Sequence, residues 1–477
     1  MKIKFIGATE TVTGSKHLLI TEKGSQILLD CGLYQGMGES TDEMNKNLDL
    51  DPSKIEAVIL SHGHIDHCGN LPNLMKQGFN GKIYCTPATK DVCHILLLDS
   101  AHIQESDAKF MNKNQRKKQA PIEPLYTISD AENCMNLFET VDFDTDHKLN
   151  DEISFYFSEN GHIIGSGAIN ITATESNKVT RLCFTGDIGR YDDPLLKTPA
   201  VFQQADYIIC ESTYGNKLHG TTEDAEQKLL SIVNRTCIEK KGKLLIPAFS
   251  LGRTQEIVFV LDKLANKKLL PNIPVYVDSP MSVKATSILR SHSESFNAEL
   301  QSYIKKDPNP FGFANLTYIE ESSESRQLND VNEPCIIISS SGMADAGRIK
   351  HHLCYAIADQ KNTVLLTGYC APGSLGAKLM RGEKQVYIFD YLFDVNAEIE
   401  SIHSLSAHGD YDEMIRFLSC QQKSVVKSVF LVHGEGDAKT VFRDKLLQQG
   451  YQKVIVPSKL EVFDLNDHEN QQAALAT

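Results

Sequence analysis

A chain of 477 residues is longer than one hydrophobic core usually supports, so two domains are expected, and 41% hydrophobic with 23% charged residues is ordinary globular composition. A formal charge of −14 argues against a generally basic nucleic-acid surface and leaves only local ones, such as Lys109, Lys113, Arg116, Lys117 and Lys118. No stretch approaches a membrane span, Met1-Lys2-Ile3-Lys4-Phe5-Ile6-Gly7 is too short for a signal peptide, and twelve scattered cysteines with no CxxC pair read as free thiols, so a cytoplasmic protein is expected.

Met1 to Gly14 reads as a strand and a Thr/Gly turn, and Gln26–Leu29 as a strand that delivers Asp30 at its C-terminal end. There Asp30 either caps a turn or orients a ligand histidine. The apolar run Ala57-Val58-Ile59-Leu60 is followed directly by Ser61-His62-Gly63-His64-Ile65-Asp66-His67-Cys68-Gly69. Three imidazoles and a carboxylate after a buried strand are not explained by packing, because each unpaired buried polar group costs about 1–3 kcal/mol. His and Asp suit Zn²⁺, and two such ligand sets suit a pair of ions about 3.5–4 Å apart.

Helical patterns cover Asn70 to Gln77 and much of Thr89 to Lys113, with a strand at Gly81–Cys85 between them. Gly161-His162-Ile163-Ile164-Gly165-Ser166-Gly167 then brackets a histidine with glycines, which let backbone approach a metal or phosphate. Alone His162 is a turn residue; in company it is a partner for His62 and His64. Arg181–Phe184 runs into Thr185-Gly186-Asp187, whose carboxylate can bridge two cations, and Ala205–Cys210 runs into Glu211-Ser212-Thr213-Tyr214-Gly215. So many strands ending in acidic or imidazole groups imply one convergent site.

From Asn216 the pattern becomes a regular α/β alternation. A helix over Thr221–Lys240 precedes a strand at Lys243–Pro247, and Ala248 to Glu256 opens a helix where Arg253 can meet a phosphate. A strand at Ile273–Asp278 leads to a helix from Met281, and one at Cys335–Ile338 leads to Ser339-Ser340-Ser341-Gly342, either an anion cradle or a plain strand-to-helix turn. After the strand Thr363–Thr367 this doubly wound segment closes near Ile399. Ile402 to Asp410 precedes a helix, Val426–Val432 is a strand ending in His433-Gly434-Glu435, Val454–Pro457 is another, and the tail from Asn466 is expected to fray.

Together His62-Gly63-His64-Ile65-Asp66-His67, His162 and Asp187, with Glu211 in Glu-Ser-Thr-Tyr-Gly, His408 in Ser-Ala-His-Gly-Asp and His433 in Leu-Val-His-Gly-Glu, resemble the metallo-β-lactamase fold in its β-CASP branch. Those zinc nucleases process RNA and include RNase J and the endonuclease subunit of pre-mRNA 3′-end cleavage. The resemblance implies an α/β protein: an αββα sandwich from residues 1–215 and 400–477, with a doubly wound α/β (β-CASP) insertion at 216–399. It implies that His62, His64 and His162 hold one Zn²⁺, that Asp66, His67 and His433 hold another, and that Asp187 bridges them. Asp66, Glu211 and His408 would be the catalytic residues, His408 protonating the leaving ribose oxygen, with Asp30 orienting a ligand.

The implied activity is hydrolysis of RNA phosphodiester bonds by a dimetal-activated hydroxide, endonucleolytic or 5′-to-3′ exonucleolytic. Single-stranded RNA would lie in the interdomain cleft, and Arg253, Ser339, Ser340, Ser341 and Gly342 would be its phosphate contacts. A homodimer fits the family, and a compact member is expected, without RNase J's long C-terminal domain or the KH modules of some archaeal relatives. The rivals are a DNA nuclease of the crosslink-repair type, which His433 disfavours, a catalytically silent RNA-binding homologue, which the filled ligand positions disfavour, and a small-molecule hydrolase such as a thioesterase.

Overall fold

The computed structural model describes residues 1–114, 121–219, 222–368, 370, 373–402 and 406–465. Arg116, Lys117 and Lys118 of the basic patch, His403 to Leu405 and the tail from Asn466 lie outside them. The described chain divides into two compact units: Met1–Tyr191 with Thr198–Leu218 and His408–Thr477, and Asp192–Lys197 with His219–Ala407. The expected boundaries at 215/216 and 399/400 fall before these at 218/219 and 407/408, and Asp192–Lys197 goes with the inserted unit.

The first unit is built on two seven-stranded sheets. One runs Val462–Asp464, Lys2–Phe5, His17–Ile20, Gln26–Leu29, Ile55–Ile59, Lys82–Cys85 and Phe138–Thr140, antiparallel up to Gln26–Leu29 and parallel beyond. The other runs Val454–Ile455, Ser428–Leu431, Tyr207–Cys210, Lys178–Phe184, Gly167–Glu175, Ile153–Glu159 and His147–Lys148. Its first four strands are parallel and the rest antiparallel. Strands such as Tyr207–Cys210 and Ser428–Leu431 are buried on both faces because each sheet is covered twice.

Between the sheets Phe5, Leu29 and Ile59 meet Phe157, Phe184, Ile209 and Phe430 in one buried cluster. On the outer faces, Leu28, Val58 and Ile83 pack against the helices Leu71–Lys76, Pro87–Asn114 and Ile128–Met135, while Cys183, Ile208 and Val429 pack against Tyr411–Leu418 and Ala438–Gln448. The result is a helix–sheet–sheet–helix sandwich. All twelve cysteines are free and nine are buried. Among the described residues no helix is long and apolar enough to cross a membrane.

The second unit holds a six-stranded, all-parallel sheet in the order Leu316–Ile319, Val275–Asp278, Ile336–Ser339, Leu244–Pro247, Thr363–Leu366, Glu398–Ser401. Neighbours out of chain order make it doubly wound. Its centre is pinned by Asp278, which accepts hydrogen bonds from Arg348 Nη1 (2.7 Å) and pairs with His352 Nε2 (2.7 Å). Burial raises the pKa of Asp278, but His352, Ser325 and Arg348 outweigh it and hold the carboxyl below its ordinary value.

What positions the site is the clamp of residues 30–33 on the helical turn Ile65–Cys68. Cys31 N–H donates to His67 O (2.8 Å), Leu33 N–H to Ile65 O (3.0 Å), and Ser15 N–H to Asp66 O (2.8 Å). Gly32 lies so close that a β-carbon there would sit 1.6 Å from Asp66 O. Gly32→Ala is therefore expected to cost on the order of 1–3 kcal/mol by overpacking and to displace the Asp66 and His67 turn. Denaturant midpoints together with zinc content after desalting check this, and an unchanged midpoint with unchanged zinc content would contradict it.

Candidate functional site

Five strands of the first unit deliver polar groups just past their C-terminal ends. Gln26–Leu29 leads to Asp30, Ile55–Ile59 to Ser61 and His62, Lys178–Phe184 to Asp187, Tyr207–Cys210 to Glu211, and Ser428–Leu431 to His433. Asp30 (φ 58°) and His433 (φ 52°) sit in the left-handed region, uncommon for residues with a side chain and concentrated at functional positions. That turn aims each side chain where a continuing strand would not. His433 N–H is anchored on Ala8 O at 2.6 Å. A β-carbon on Gly434 would lie 2.5 Å from Ser212 Oγ, so a larger residue after His433 would displace the Ser212 hydroxyl from its bond to Val432 O.

The expected ligands converge. His64 Nδ1 lies 3.1 Å from both His62 Nε2 and His162 Nε2, and His67 Nε2 lies 3.2 Å from His433 Nε2 and 3.9 Å from Asp66 Oδ2. Asp187 Oδ2 stands 3.3–3.5 Å from Nε2 of His62, His67 and His162, and its Oδ1 is 3.6 Å from His433 Nε2. Among the described residues three groups are able to hold an ion: His62, His64, His162 and Asp187; Asp66, His67 and His433; and Asp187, Glu211 and His408. Asp187 Oδ1 is buried with no hydrogen-bond partner among the described residues.

Hydrogen bonds at the outer edges set which ring nitrogen points inward. His67 Nδ1 donates to Asp30 Oδ2 at 2.6 Å. Asp30 also accepts from Ser61 N (2.8 Å), Ser61 Oγ (2.9 Å) and Ser15 Oγ (3.1 Å), so the carboxylate is fully engaged as an orienting group. With its one proton given to Asp30, the Ser61 hydroxyl accepts from His62 Nδ1 at 3.0 Å, leaving the His62 Nε2 lone pair facing His64. Lone pairs facing each other at such separations repel unless a cation or proton stands between them. An oxygen and nitrogen donor set, a buried orphan carboxylate oxygen and this convergence fit divalent zinc.

The electrostatics agree. Burial, aided by His67, holds His62 well below the ordinary imidazole range, and burial lowers His64 to about 4, so both are neutral donors. Burial raises Asp187, but His433, His67 and His62 outweigh it and keep the carboxyl ionised. Burial lowers His67, and Asp187, Asp66 and Asp30 more than reverse it. In the absence of a metal these three carboxylates draw a proton onto one imidazole.

Beside this cluster His408 Nδ1 lies 3.0 Å from Glu211 Oε2 and 4.0 Å from Asp187 Oδ2. Burial lowers its pKa, but Glu211, then Asp187 and Asp66, carry it to about 9. Glu211 Oε1 accepts Ile188 N–H, and Gly409 N–H donates to Ile188 O at 2.8 Å, tying the two loops together. Asp66 and His408 keep side-chain exposures of 19% each and His64 is also partly exposed, against 4% or less for His62, His67, His162, Asp187, Glu211 and His433, so these three are the members open to an arriving substrate.

The expected phosphate contacts belong to the second unit. Arg253 is buried and its Nη1 pairs with Glu256 on the same helix, which leaves its charge already compensated. Ser339 Oγ donates to Asp278 O (2.8 Å) and Ser341 Oγ to Ala346 O (3.3 Å), while Ser340 Oγ meets Ser279 Oγ at 3.2 Å. A β-carbon on Gly342 would lie 2.7 Å from Phe249. Ser61 and Thr213 went unassigned in the sequence, where a hydroxyl beside a motif residue carries no spacing signal of its own.

The chain matches the metallo-beta-lactamase superfamily over residues 13–214, the Beta-Casp domain over 254–379 and the Zn-dependent metallo-hydrolase RNA specificity domain over 393–457. It is 31% identical over 454 residues to Ribonuclease TTHA0252 of Thermus thermophilus, covering 95% of this chain and 97% of that protein. It is 30% identical over 436 residues to an RNase J-like protein of Methanocaldococcus jannaschii, covering 91% and 92%. Similarity extends to cleavage and polyadenylation specificity factor 73 of Drosophila melanogaster, 30% identical over 441 residues that make up 91% of this chain and 60% of that protein.

Proposed function

Because the chain belongs to the Beta-Casp branch of the metallo-β-lactamase superfamily, we propose that it is a zinc-dependent ribonuclease acting at a two-ion centre. The observation that carries this reading is the pair of donor groups meeting at Asp187, with the His408–Glu211 pair beside them. His62, His64 and His162 would hold one ion, Asp66, His67 and His433 the other, with Asp187 shared. A pair of Zn²⁺ ions supplies, when bound, a water acidic enough to ionise near neutral pH and positive charge for a phosphate in transition.

The chain's own residues do the rest. Asp30 and Ser61 hold His67 and His62 with Nε2 inward, so neither ring must reorient when substrate arrives. Glu211 accepts a hydrogen bond from His408 Nδ1–H, leaving Nε2–H as the group that hands a proton to the leaving ribose oxygen. A neighbouring carboxylate keeps that imidazole protonated at neutral pH, as an acid requires. RNA rather than DNA is supported by the ribonuclease relatives and by the RNA specificity match, which spans both His408 and His433. Matched RNA and single-stranded DNA, digested in parallel, test this: RNA cleavage is expected, and preference for DNA would reverse the assignment. Product lengths from 5′-labelled RNA, with and without a 5′-monophosphate, read the mode of attack.

His408→Ala is expected to retain zinc and lose about 10²–10⁴-fold in rate, the range general acid catalysis supplies. Removing the negative charge 3.0 Å from the imidazole lowers the pH at which it gives up its proton. Glu211→Gln therefore moves the alkaline limb of the rate profile to lower pH. Loss of zinc in His408→Ala, or an alkaline limb unmoved in Glu211→Gln, would show that His408 is not the acid.

A further inference from the structure

His67 is held through its outer nitrogen by the carboxylate of Asp30, whereas His433, like His62, meets a hydroxyl there. His433 Nδ1 lies 3.0 Å from Thr213 Oγ1. The same hydroxyl lies 2.6 Å from Glu211 Oε2 and 3.2 Å from His433 O. One hydroxyl has one proton, and the carboxylate oxygen at the shorter distance is the stronger acceptor. With that proton committed to Glu211, Oγ1 has only lone pairs to offer His433, so the bond at 3.0 Å is donated by His433 Nδ1–H. The His433 Nε2 lone pair then faces His67 Nε2 (3.2 Å), Asp66 Oδ2 (3.4 Å) and Asp187 Oδ1 (3.6 Å).

We propose that Thr213 is a positioning residue that fixes the tautomer of His433 and joins it through Glu211 to His408, so that one carboxylate orients both a metal ligand and the acid. This rests on the two-ion reading above. The chain of contacts is His433 Nδ1 to Thr213 Oγ1 (3.0 Å), Thr213 Oγ1 to Glu211 Oε2 (2.6 Å), and Glu211 Oε2 to His408 Nδ1 (3.0 Å). Both imidazoles thereby present Nε2 to the working side. A backbone anchor adds rigidity: Ser212 N–H donates to His433 O at 3.2 Å, and Ser212 Oγ to Val432 O at 2.7 Å. Hydrogen-bond chains through a hydroxyl strengthen each member, and outer partners of ligand histidines weigh on metal affinity. The consequence specific to Thr213 is that zinc affinity at the Asp66, His67 and His433 position depends on a hydroxyl that touches no ion.

The test uses the full chain carrying ¹⁵N-labelled histidine. In the metal-free wild type the His433 ring is expected to show a protonated Nδ1 and a bare Nε2. Thr213→Val keeps the shape and removes the hydroxyl; it is expected to lose that signature and to bind one of two zinc ions about 10–100-fold more weakly in chelator competition. Thr213→Ser restores the hydroxyl and is expected to restore both. A protonated Nε2 in the wild type, wild-type zinc affinity in Thr213→Val, or failure of Thr213→Ser to rescue each overturn the inference. Because the ring signature is read without metal, a wild type that shows it but binds fewer than two zinc ions would refute the two-ion reading and leave the Thr213 link standing. The wild-type spectrum decides the tautomer even if Thr213→Val does not fold.

Discussion

The structure turns on the carboxylate of Asp187. It is 1% exposed, one of its oxygens lies 3.3–3.5 Å from three imidazole nitrogens, and the other has no hydrogen-bond partner among the described residues. A buried charge in that state is tolerated only with compensation, from protons or from metal. The surrounding histidines answer unevenly: His62 and His64 are driven neutral while His67 is driven toward its protonated form. A site that must borrow a proton to balance its carboxylates is one built for cations.

Holding such a group together requires backbone that departs from regular strands at set points. Asp30, His433 and Ala8 adopt left-handed conformations, and Ala8 and His433 are joined by a 2.6 Å hydrogen bond. These local costs are tolerable because the two sheets behind them share an apolar cluster through Phe5, Phe184 and Phe430, which fixes the strand ends. Gly32 and Gly434 complete the arrangement by allowing contacts that a β-carbon would block. The inserted unit is stabilised independently, by its parallel sheet and by the Asp278, Arg348 and His352 network.

Much of the site was legible because its signals are local. Three histidines and an aspartate within residues 62–67, shortly after a strand end, announce themselves, as does Asp187 after Gly186. The partnership of His408 with Glu211, 197 residues away, leaves no periodic trace and came through family resemblance alone. Arg253 was read as an anion contact because it opens a helix, whereas Glu256 one turn later already takes its charge. The strands His17–Ile20 and Ile153–Glu159 are less legible, the first because four residues are too few for a period and the second because its alternation is broken where Phe157 and Ser158 are both buried. Thr213 and Ser61 were silent for another reason: what each hydroxyl does depends on where its single proton goes, which only the three-dimensional partners decide.

The account stands on two cations flanking Asp187. Diffraction at the zinc absorption edge from crystals of the zinc-loaded chain tests it most directly. Two anomalous peaks about 3.5–4 Å apart are predicted, one enclosed by His62, His64 and His162 and one by Asp66, His67 and His433, with Asp187 touching both. A single peak, or peaks bound away from Asp187, would contradict it.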